Sequence, residues 1–336
     1  MNYKDVLDKY KENLSNNRKW WPNFLYHFTD VHNASRILCD GYIWSRQKAE
    51  EKKIMANDNA SHAVIESTDQ DNKCYGRLYF RPLTPTQFHN EGYKPKEVRN
   101  LDASCPVPIF LCLSANAILE FPGTKFAEKG LSGRRHDIKS GVEEFEKLNF
   151  RKIYHDGYYT SEESDIKEYR HSEVIHENGF PVEPFLKGIL CRSEAERETL
   201  LFLLGQYSMR LYNTYKSKII YNPKLHCFYH NGIYIKRVNV LGNKIRIEFN
   251  DPELRKLSPT KEPIDLKIQI EISYRLINGQ VLEVVMGEGN LDYNSVRSCE
   301  IKLQNGFEYD VIRIKVAIDE ISMYENEISM EEALIF

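Results

Sequence analysis

From Ile264 to Leu276 every second residue is apolar: Ile264, Leu266, Ile268, Ile270, Ile272, Tyr274 and Leu276 alternate with mostly polar neighbours. Successive side chains of a strand point to opposite faces, so this spacing gathers the whole set on one face and predicts a strand buried on that side. Asn231-Gly232, Asn278-Gly279 and Asn305-Gly306 each fall between strand-like runs, the pattern of a tight hairpin turn. Residues from about 219 to 320 therefore read as an antiparallel sandwich or barrel.

The chain before that point has mixed periodicity. Residues 1–19 read as an amphipathic helix, with Val6, Leu7, Tyr10 and Leu14 on one face and Asn16-Asn17 at its end, packed at a domain edge. Leu25–Thr29 reads as a short strand, and Asp30 as the cap of a helix that runs through Ala34, Ile37 and Leu38 and stops at Gly41. Gln47 to Asn72 is polar with few apolar anchors and predicts an excursion from the core. Further strands are expected at 106–113, 172–175 and 186–191, with helices at 142–148 and, after the cap signal at Ser193, through 200–211.

One stretch fits no simple period. Tyr75 to Gly92 crowds aromatics, arginines, threonines and prolines around the short apolar run Leu78-Tyr79-Phe80. Pro82 and Pro85 predict an extended path after that run, with polar side chains that find partners outside a regular ladder.

Composition narrows the picture only slightly. At 336 residues the chain is long enough for two cores, and 41% hydrophobic with 28% charged residues is ordinary for a folded soluble protein. No apolar run reaches the roughly 18–20 residues of a membrane span, and the charged N-terminus lacks a signal-peptide core, which predicts a cytoplasmic protein. Seven cysteines without a Cys-x-x-Cys pair predict reduced thiols. The net charge of −3 excludes a general basic coat, so nucleic-acid contact would need local clusters such as Lys94–Arg99, Arg134-Arg-His136 with Lys139, and Lys147 with Arg151-Lys152.

Three motifs, in order, carry a family resemblance: Leu25-Tyr-His-Phe-Thr29, the Tyr75–Gly92 stretch and Arg170-His-Ser-Glu-Val-Ile175. Together they resemble the DarT family of nucleic-acid ADP-ribosyltransferases, toxins paired with a macrodomain antitoxin, over roughly residues 20 to 205. The resemblance implies an α+β fold, an ADP-ribosyltransferase-like split β-sheet domain with helices, here followed by the antiparallel all-β sandwich or barrel. The domain division expected is 1–19 for the N-terminal helix, 20–215 for the transferase and 216–336 for a β-rich unit that stabilises, docks a partner or antitoxin, or binds nucleic acid.

The same resemblance implies NAD as co-substrate, no metal, and Glu173 as the carboxylate that accepts from the ribose 2′-hydroxyl and stabilises positive charge at the sugar. His27, Phe28, Thr29, Asn33 and Tyr79 are implied as NAD contacts, with Phe80 behind Tyr79 or exchanging places with it. Arg81 is implied as partner of the pyrophosphate, with Arg77 competing for that role or for a catalytic one. Thr84, Gln87 and His89 follow as substrate contacts, as do Arg170 and the loop tyrosines Tyr158 and Tyr159, which suit stacking of an unpaired base.

The thymidine-modifying branch of the family carries a catalytic arginine before the aromatic strand, where residues 60–73 here have none. Arg77 or Arg46 substitutes, or the role differs, and the Arg-Pro-x-Thr-Pro-Thr-Gln wording is closer to members that modify guanine. The reading is thus a guanine-directed toxin acting on single-stranded DNA, cytoplasmic, neutralised by a macrodomain antitoxin and away from membranes. RNA as acceptor, a protein acceptor, and a catalytically inactive binding module are the rivals. His171-Ser-Glu173 lacks the Pro-Cys-x-x-Cys that a zinc deaminase needs, and Gly287-Glu-Gly289 lacks the third glycine of a dinucleotide-binding turn.

Overall fold

The computed structural model describes residues 1–54, 73–99, 103–131, 137–255, 262–303 and 308–330. In chain order, the strands of its first part are β1 (Phe24–Asp30), β2 (Tyr42–Ile43), β3 (Gly76–Tyr79), β4 (Pro108–Ser114), β5 (Lys125–Ala127), β6 (Ile138–Lys139), β7 (Glu173–His176), β8 (Phe180–Pro181), β9 (Leu186–Cys191) and β10 (Ile219–Tyr221). All but β2 and β8, which pair with each other, join one sheet in the order β10-β9-β4-β1-β3-β7-β5-β6.

That sheet is nearly two. β1 is registered against β4 along its whole length, from Phe24 opposite Ser114 to Asp30 opposite Pro108. Toward β3 it has one registered pair, Tyr26 opposite Tyr79, while β3 continues its own ladder with β7. The split sheet expected from the family resemblance is therefore present, with its seam between β1 and β3. Leu25, Leu78, Leu111, Val174 and Ile189 pack on one face of the joined sheet, and the Val6 and Leu7 side chains of the Tyr3–Lys11 helix are buried in the same cluster.

Local signals account for several elements. Asp30 accepts from the His32 N–H at 3.0 Å and caps the Val31–Asp40 helix, which Gly41 ends at φ +79°. β4 is buried along almost its entire length, as a continuous apolar run in mid-sheet should be.

Other elements depart from the sequence expectation. The stretch after Pro82 is not extended but forms the Pro85–Asn90 helix: Thr84 caps it by accepting from the Gln87 N–H at 3.2 Å, and Pro85 occupies the first turn, where its missing N–H is harmless. The helix expected through 200–211 breaks at Ser208, whose extended backbone ends Glu194–Tyr207 and whose side chain caps Met209–Tyr215. Ile219–Tyr221 runs parallel to β9 as the edge of the first sheet, and the β-rich region starts only at Ile235. The Asn305-Gly306 turn, the Arg134–His136 cluster and residues 55–72 of the polar excursion lie outside the described residues.

The second part comprises β11 (Ile235–Leu241), β12 (Lys244–Phe249), β13 (Asp265–Leu276), β14 (Val281–Asp292), β15 (Ser298–Lys302), β16 (Tyr309–Ile318) and β17 (Ile321–Ser329). They form a three-stranded sheet, β11-β12-β15, and a four-stranded sheet, β14-β13-β16-β17. Leu266, Ile268, Ile270, Ile272 and Tyr274 of β13 share one core with Ile245 and Ile247 of β12, so the two sheets make a sandwich. Asn278-Gly279 closes the β13–β14 hairpin, with Gly279 at φ +84°.

Asn231-Gly232 does something else. It crosses the chain at Gly92-Tyr93, where Tyr93 and Ile233 form an isolated bridge. A Cβ on Gly92 would stand 1.9 Å from the Asn231 carbonyl oxygen, and one on Gly232 2.4 Å from that of Tyr93, so both crossing positions require glycine. Beside this crossing the Glu91 carboxylate, fully buried, accepts from Gln87 Nε2 at 2.7 Å and from the N–H groups of Tyr229 at 2.9 Å and His230 at 2.6 Å. The buried Arg192 guanidinium lies 3.6 Å away and also binds Glu196.

Removing one partner of a buried ion pair leaves the other charge uncompensated, so Glu91→Ala is expected to destabilise the protein by about 3–5 kcal/mol. Denaturant unfolding checks this. A loss below about 1 kcal/mol, the range of an exposed pair, would show that the Glu91 contacts do not hold the two parts together.

Candidate active site

β3 and β7 bring the candidate residues together through register. Tyr79 is paired with Glu173 and Arg77 with Ile175, so the side chains of Tyr79, Arg77 and Glu173 emerge on one face of the sheet. Phe28 belongs to the same face, packed at 5.3 Å from Phe110 on the aromatic cluster that also takes Tyr26 and Tyr79. Phe80, one residue on, is buried on the opposite face, so the two strand aromatics divide as alternation requires.

Glu173 is only 3% exposed. Its carboxylate accepts from the Leu131 N–H at 3.2 Å and has the Arg77 guanidinium at 3.6 Å. A carboxylate buried at a strand start is costly without partners, and this one has a cation and a main-chain donor. Burial and the nearby Glu173 charge push the Tyr79 phenol up to about 12, so it stays protonated at neutral pH. The Tyr79 hydroxyl is hydrogen-bonded to Thr86, and the Thr86 hydroxyl lies 3.4 Å from Nδ1 of His171.

His27 and Thr29 stand on the other face of β1, the face of Leu25, opposite to that of Tyr79 and Glu173. His27 Nδ1 lies 3.3 Å from the Arg77 carbonyl oxygen. Burial pushes its pKa down to about 4, so at neutral pH the ring is uncharged. The carbonyl can only accept, which places the proton on Nδ1 and presents Nε2 as an acceptor. Asn33 is buried in the first turn of the Val31–Asp40 helix.

Several expected contacts have other duties. The Arg81 guanidinium, 1% exposed, donates to the carbonyls of Pro82, Ile153 and His155 and lies over the Trp21 ring at 4.9 Å. It is an internal brace rather than a free partner for a pyrophosphate. Gln87 is fully buried between the Leu83 N–H, Glu91 and the Cys227 carbonyl, and Thr84 is a helix cap, so neither is placed to contact substrate. The residues after Tyr79 fold a helix into place, on which Phe88 is exposed and Thr86 and His89 are partly so.

Arg170 organises the loop before β7. Its Nη2 donates to the Gly157 carbonyl at 2.7 Å, lies 2.9 Å from His155 Nδ1, and the guanidinium covers the Tyr159 ring at 5.2 Å. Tyr158 projects fully into solvent. Of the basic clusters singled out above, Lys94 donates to the carbonyls of His89 and Glu91, and Lys147 and Lys152 pair with Glu144 and Asp165, so these lysines are engaged within the chain.

Sequence reasoning missed Thr86, His171 and the Leu131 N–H. His171 adjoins Glu173 and was passed over because the histidine was weighed only as a metal ligand. Among the described residues, no group of His, Cys, Asp and Glu suits a metal ion, and no helix is long and apolar enough to cross a membrane. A buried carboxylate beside a guanidinium, a protonated phenol and a neutral imidazole make a donor and acceptor set that fits a ribose diol and a flat amide ring, which is what NAD offers.

A family model described as "ssDNA thymidine ADP-ribosyltransferase, DarT" matches residues 26–222, more than half of the chain. No curated protein matches it. Among solved structures, Thermus sp. 2.9 DarT in complex with NAD+ is similar at 16% identity and a TM-score of 0.46, covering 61% of this chain and 97% of that one. The same protein in complex with ADP-ribosylated ssDNA gives 16% identity and a TM-score of 0.49 over 61% and 96%. Thermosipho africanus DarTG in complex with ADP-ribose gives 13% identity and a TM-score of 0.45 over 66% and 54%.

Three imidazoles make stability depend on pH. His27, His171 and His230 have pKa values pushed down to about 4 by burial, from 6.5. Between those values the unfolded chain binds more protons at these rings, so their contribution is complete above about 6.5 and is lost as pH falls toward about 4, while Glu196 and Glu198, raised to about 7 by burial, act in the opposite sense. Over pH 7 to 4.5 the thermal midpoint of wild type is expected to fall relative to that of His171→Gln. An unchanged slope in that variant would remove His171 from the account.

Proposed function

This chain belongs to the DarT family of ADP-ribosyltransferases, and we propose that it transfers ADP-ribose from NAD to a guanine base of single-stranded DNA, as the toxin of a toxin–antitoxin or anti-phage system. The observation that carries the site assignment is the β3–β7 register pair Tyr79–Glu173, one strand from the seam, with Arg77 at 3.6 Å from the carboxylate.

NAD is the co-substrate, and its cleavage releases nicotinamide while the ribose carbon gathers positive charge. In this reading Glu173 faces that charge as a fixed anion, oriented by Arg77 and the Leu131 N–H before the substrate arrives, which is electrostatic preorganisation. Tyr79 walls the site with a ring that excludes water, and its protonated hydroxyl is held by Thr86. His27 offers Nε2 as an acceptor to a sugar hydroxyl across the seam. Tyr158 stacks the incoming base, which an unpaired strand exposes and a duplex hides.

The guanine choice rests on the segment 60–73, which has no arginine where the thymidine-modifying branch carries one, and on Arg77 as the arginine beside the carboxylate. A toxin of this kind implies a neutralising neighbour, a macrodomain that removes the ADP-ribose.

Intact-mass spectrometry tests the reading. Single-stranded DNA and RNA oligonucleotides, each with one reactive base, are incubated with NAD and either wild type or Glu173→Gln. The expected result is a gain of about 541 Da, one ADP-ribose, on guanine-containing DNA, reduced at least about 100-fold in the variant. Labelling of thymine overturns the base assignment alone, labelling of RNA or of added protein overturns the acceptor, and no labelling with NAD intact overturns the transferase reading of these residues.

A further inference from the structure

The family match ends at residue 222, yet the chain just beyond it returns to the aromatic face of the first sheet. Cys227 and Phe228 pack there with Phe110 and Tyr26, in the cluster that also takes Phe28 and Tyr79. Tyr229 is then fixed at both ends. Its N–H donates to the buried Glu91 carboxylate at 2.9 Å, and its hydroxyl donates to the Leu83 carbonyl at 2.7 Å. Phe88, on the helix that carries Thr86, meets the Tyr229 ring edge-on at 5.2 Å and keeps 44% of its surface exposed.

This pair lies beside cationic groups. The Arg81 and Arg170 guanidiniums are close enough to act electrostatically on the Tyr229 phenol, and Arg170 at the same time covers Tyr159. Arg170 covers Tyr159 while Phe88 and Tyr229 pack edge-on, and Phe88 sits on the same short helix as Thr86. An exposed ring held against an anchored one, with the Arg170 guanidinium acting on the same surroundings, suits a single strand, since every base has a flat face and every linkage a negative charge. Packing does not require a phenylalanine at 88, because nearly half of it faces water.

Resting on the reading of this chain as a single-stranded DNA transferase, we propose that Phe88 and Tyr229 form a subsite that stacks a nucleotide flanking the modified base. Tyr229 makes the segment after the transferase match a working part of substrate recognition, and the choice of flanking base is set there rather than at Glu173.

Steady-state transfer to a ten-nucleotide single-stranded DNA with one reactive base tests this, with NAD and DNA varied separately for wild type, Phe88→Ala and Phe88→Trp. Loss of one stacked base corresponds to about 5- to 150-fold, so the KM for DNA is expected to rise by that factor in Phe88→Ala, to recover in Phe88→Trp, and the KM for NAD to hold. Anisotropy of the same labelled strand without NAD should weaken by a similar factor in the alanine variant. A DNA KM and affinity within twofold of wild type in Phe88→Ala would overturn the subsite while leaving the transferase reading intact. Wild type that binds and labels no DNA would overturn both.

Discussion

The buried Glu91 carboxylate is the constraint on which the rest of the arrangement depends. It has three N–H donors, from Gln87, Tyr229 and His230, and a buried guanidinium, Arg192, and these four come from three separate stretches of chain. Through Gln87 it holds the Pro85–Asn90 helix, and therefore Thr86, against the sheet. Through Tyr229 and His230 it holds the segment that leads into the sandwich, and through Arg192 it reaches the end of β9 and, by Glu196, the start of the next helix. A buried charge is expensive to isolate, so the only low-energy arrangement is the one that satisfies all of these partners together.

The seam of the sheet supplies the opposite property. β1 and β3 share one registered pair, and the His27 ring and the Arg77 carbonyl oxygen approach each other across it. The single pair together with the imidazole–carbonyl contact keeps the two halves of the sheet in register with little laddering between them. The Arg81 brace performs the same service for the loop before β7, tying Pro82 to Ile153 and His155.

How much of this was legible in the sequence follows from the range of the interactions. β13 was readable because alternation is a local pattern and one side of the strand is buried; the Asp30 cap and the Gly41 stop were readable for the same reason. Glu173, Tyr79 and Arg77 were found by motif, and their meeting needed the β3–β7 register, which the motifs do not state. The Pro85–Asn90 helix was misread because proline was weighed as a breaker when a threonine before it made it a helix start. Gln87, Thr84 and Arg81 read as substrate contacts from an odd polar pattern, and the pattern could not show that Arg81 also meets His155, 74 residues on, or that Gln87 meets Cys227, 140 residues on. Asn231-Gly232 has the hairpin dipeptide, but its glycine answers a crossing with Gly92 that no local pattern announces.

The coupling between the parts bears on what the sandwich is for. Tyr324 of β17 donates its hydroxyl to Glu198 at 2.8 Å, and Thr199 accepts from the Glu325 N–H, so the four-stranded sheet rests on the same Glu194–Tyr207 helix whose first turn carries Glu196. Tyr93 adds a second link, since its ring joins the sandwich core while its hydroxyl bonds Asp319. The sandwich is thus bolted at one end to the helix that faces Arg192 and at the other to the residue after Gly92, and both connections lead to Glu91. An element so attached cannot shift without disturbing the helix that holds Thr86. The sandwich and the Pro85–Asn90 helix are therefore joined through buried polar contacts and packed side chains.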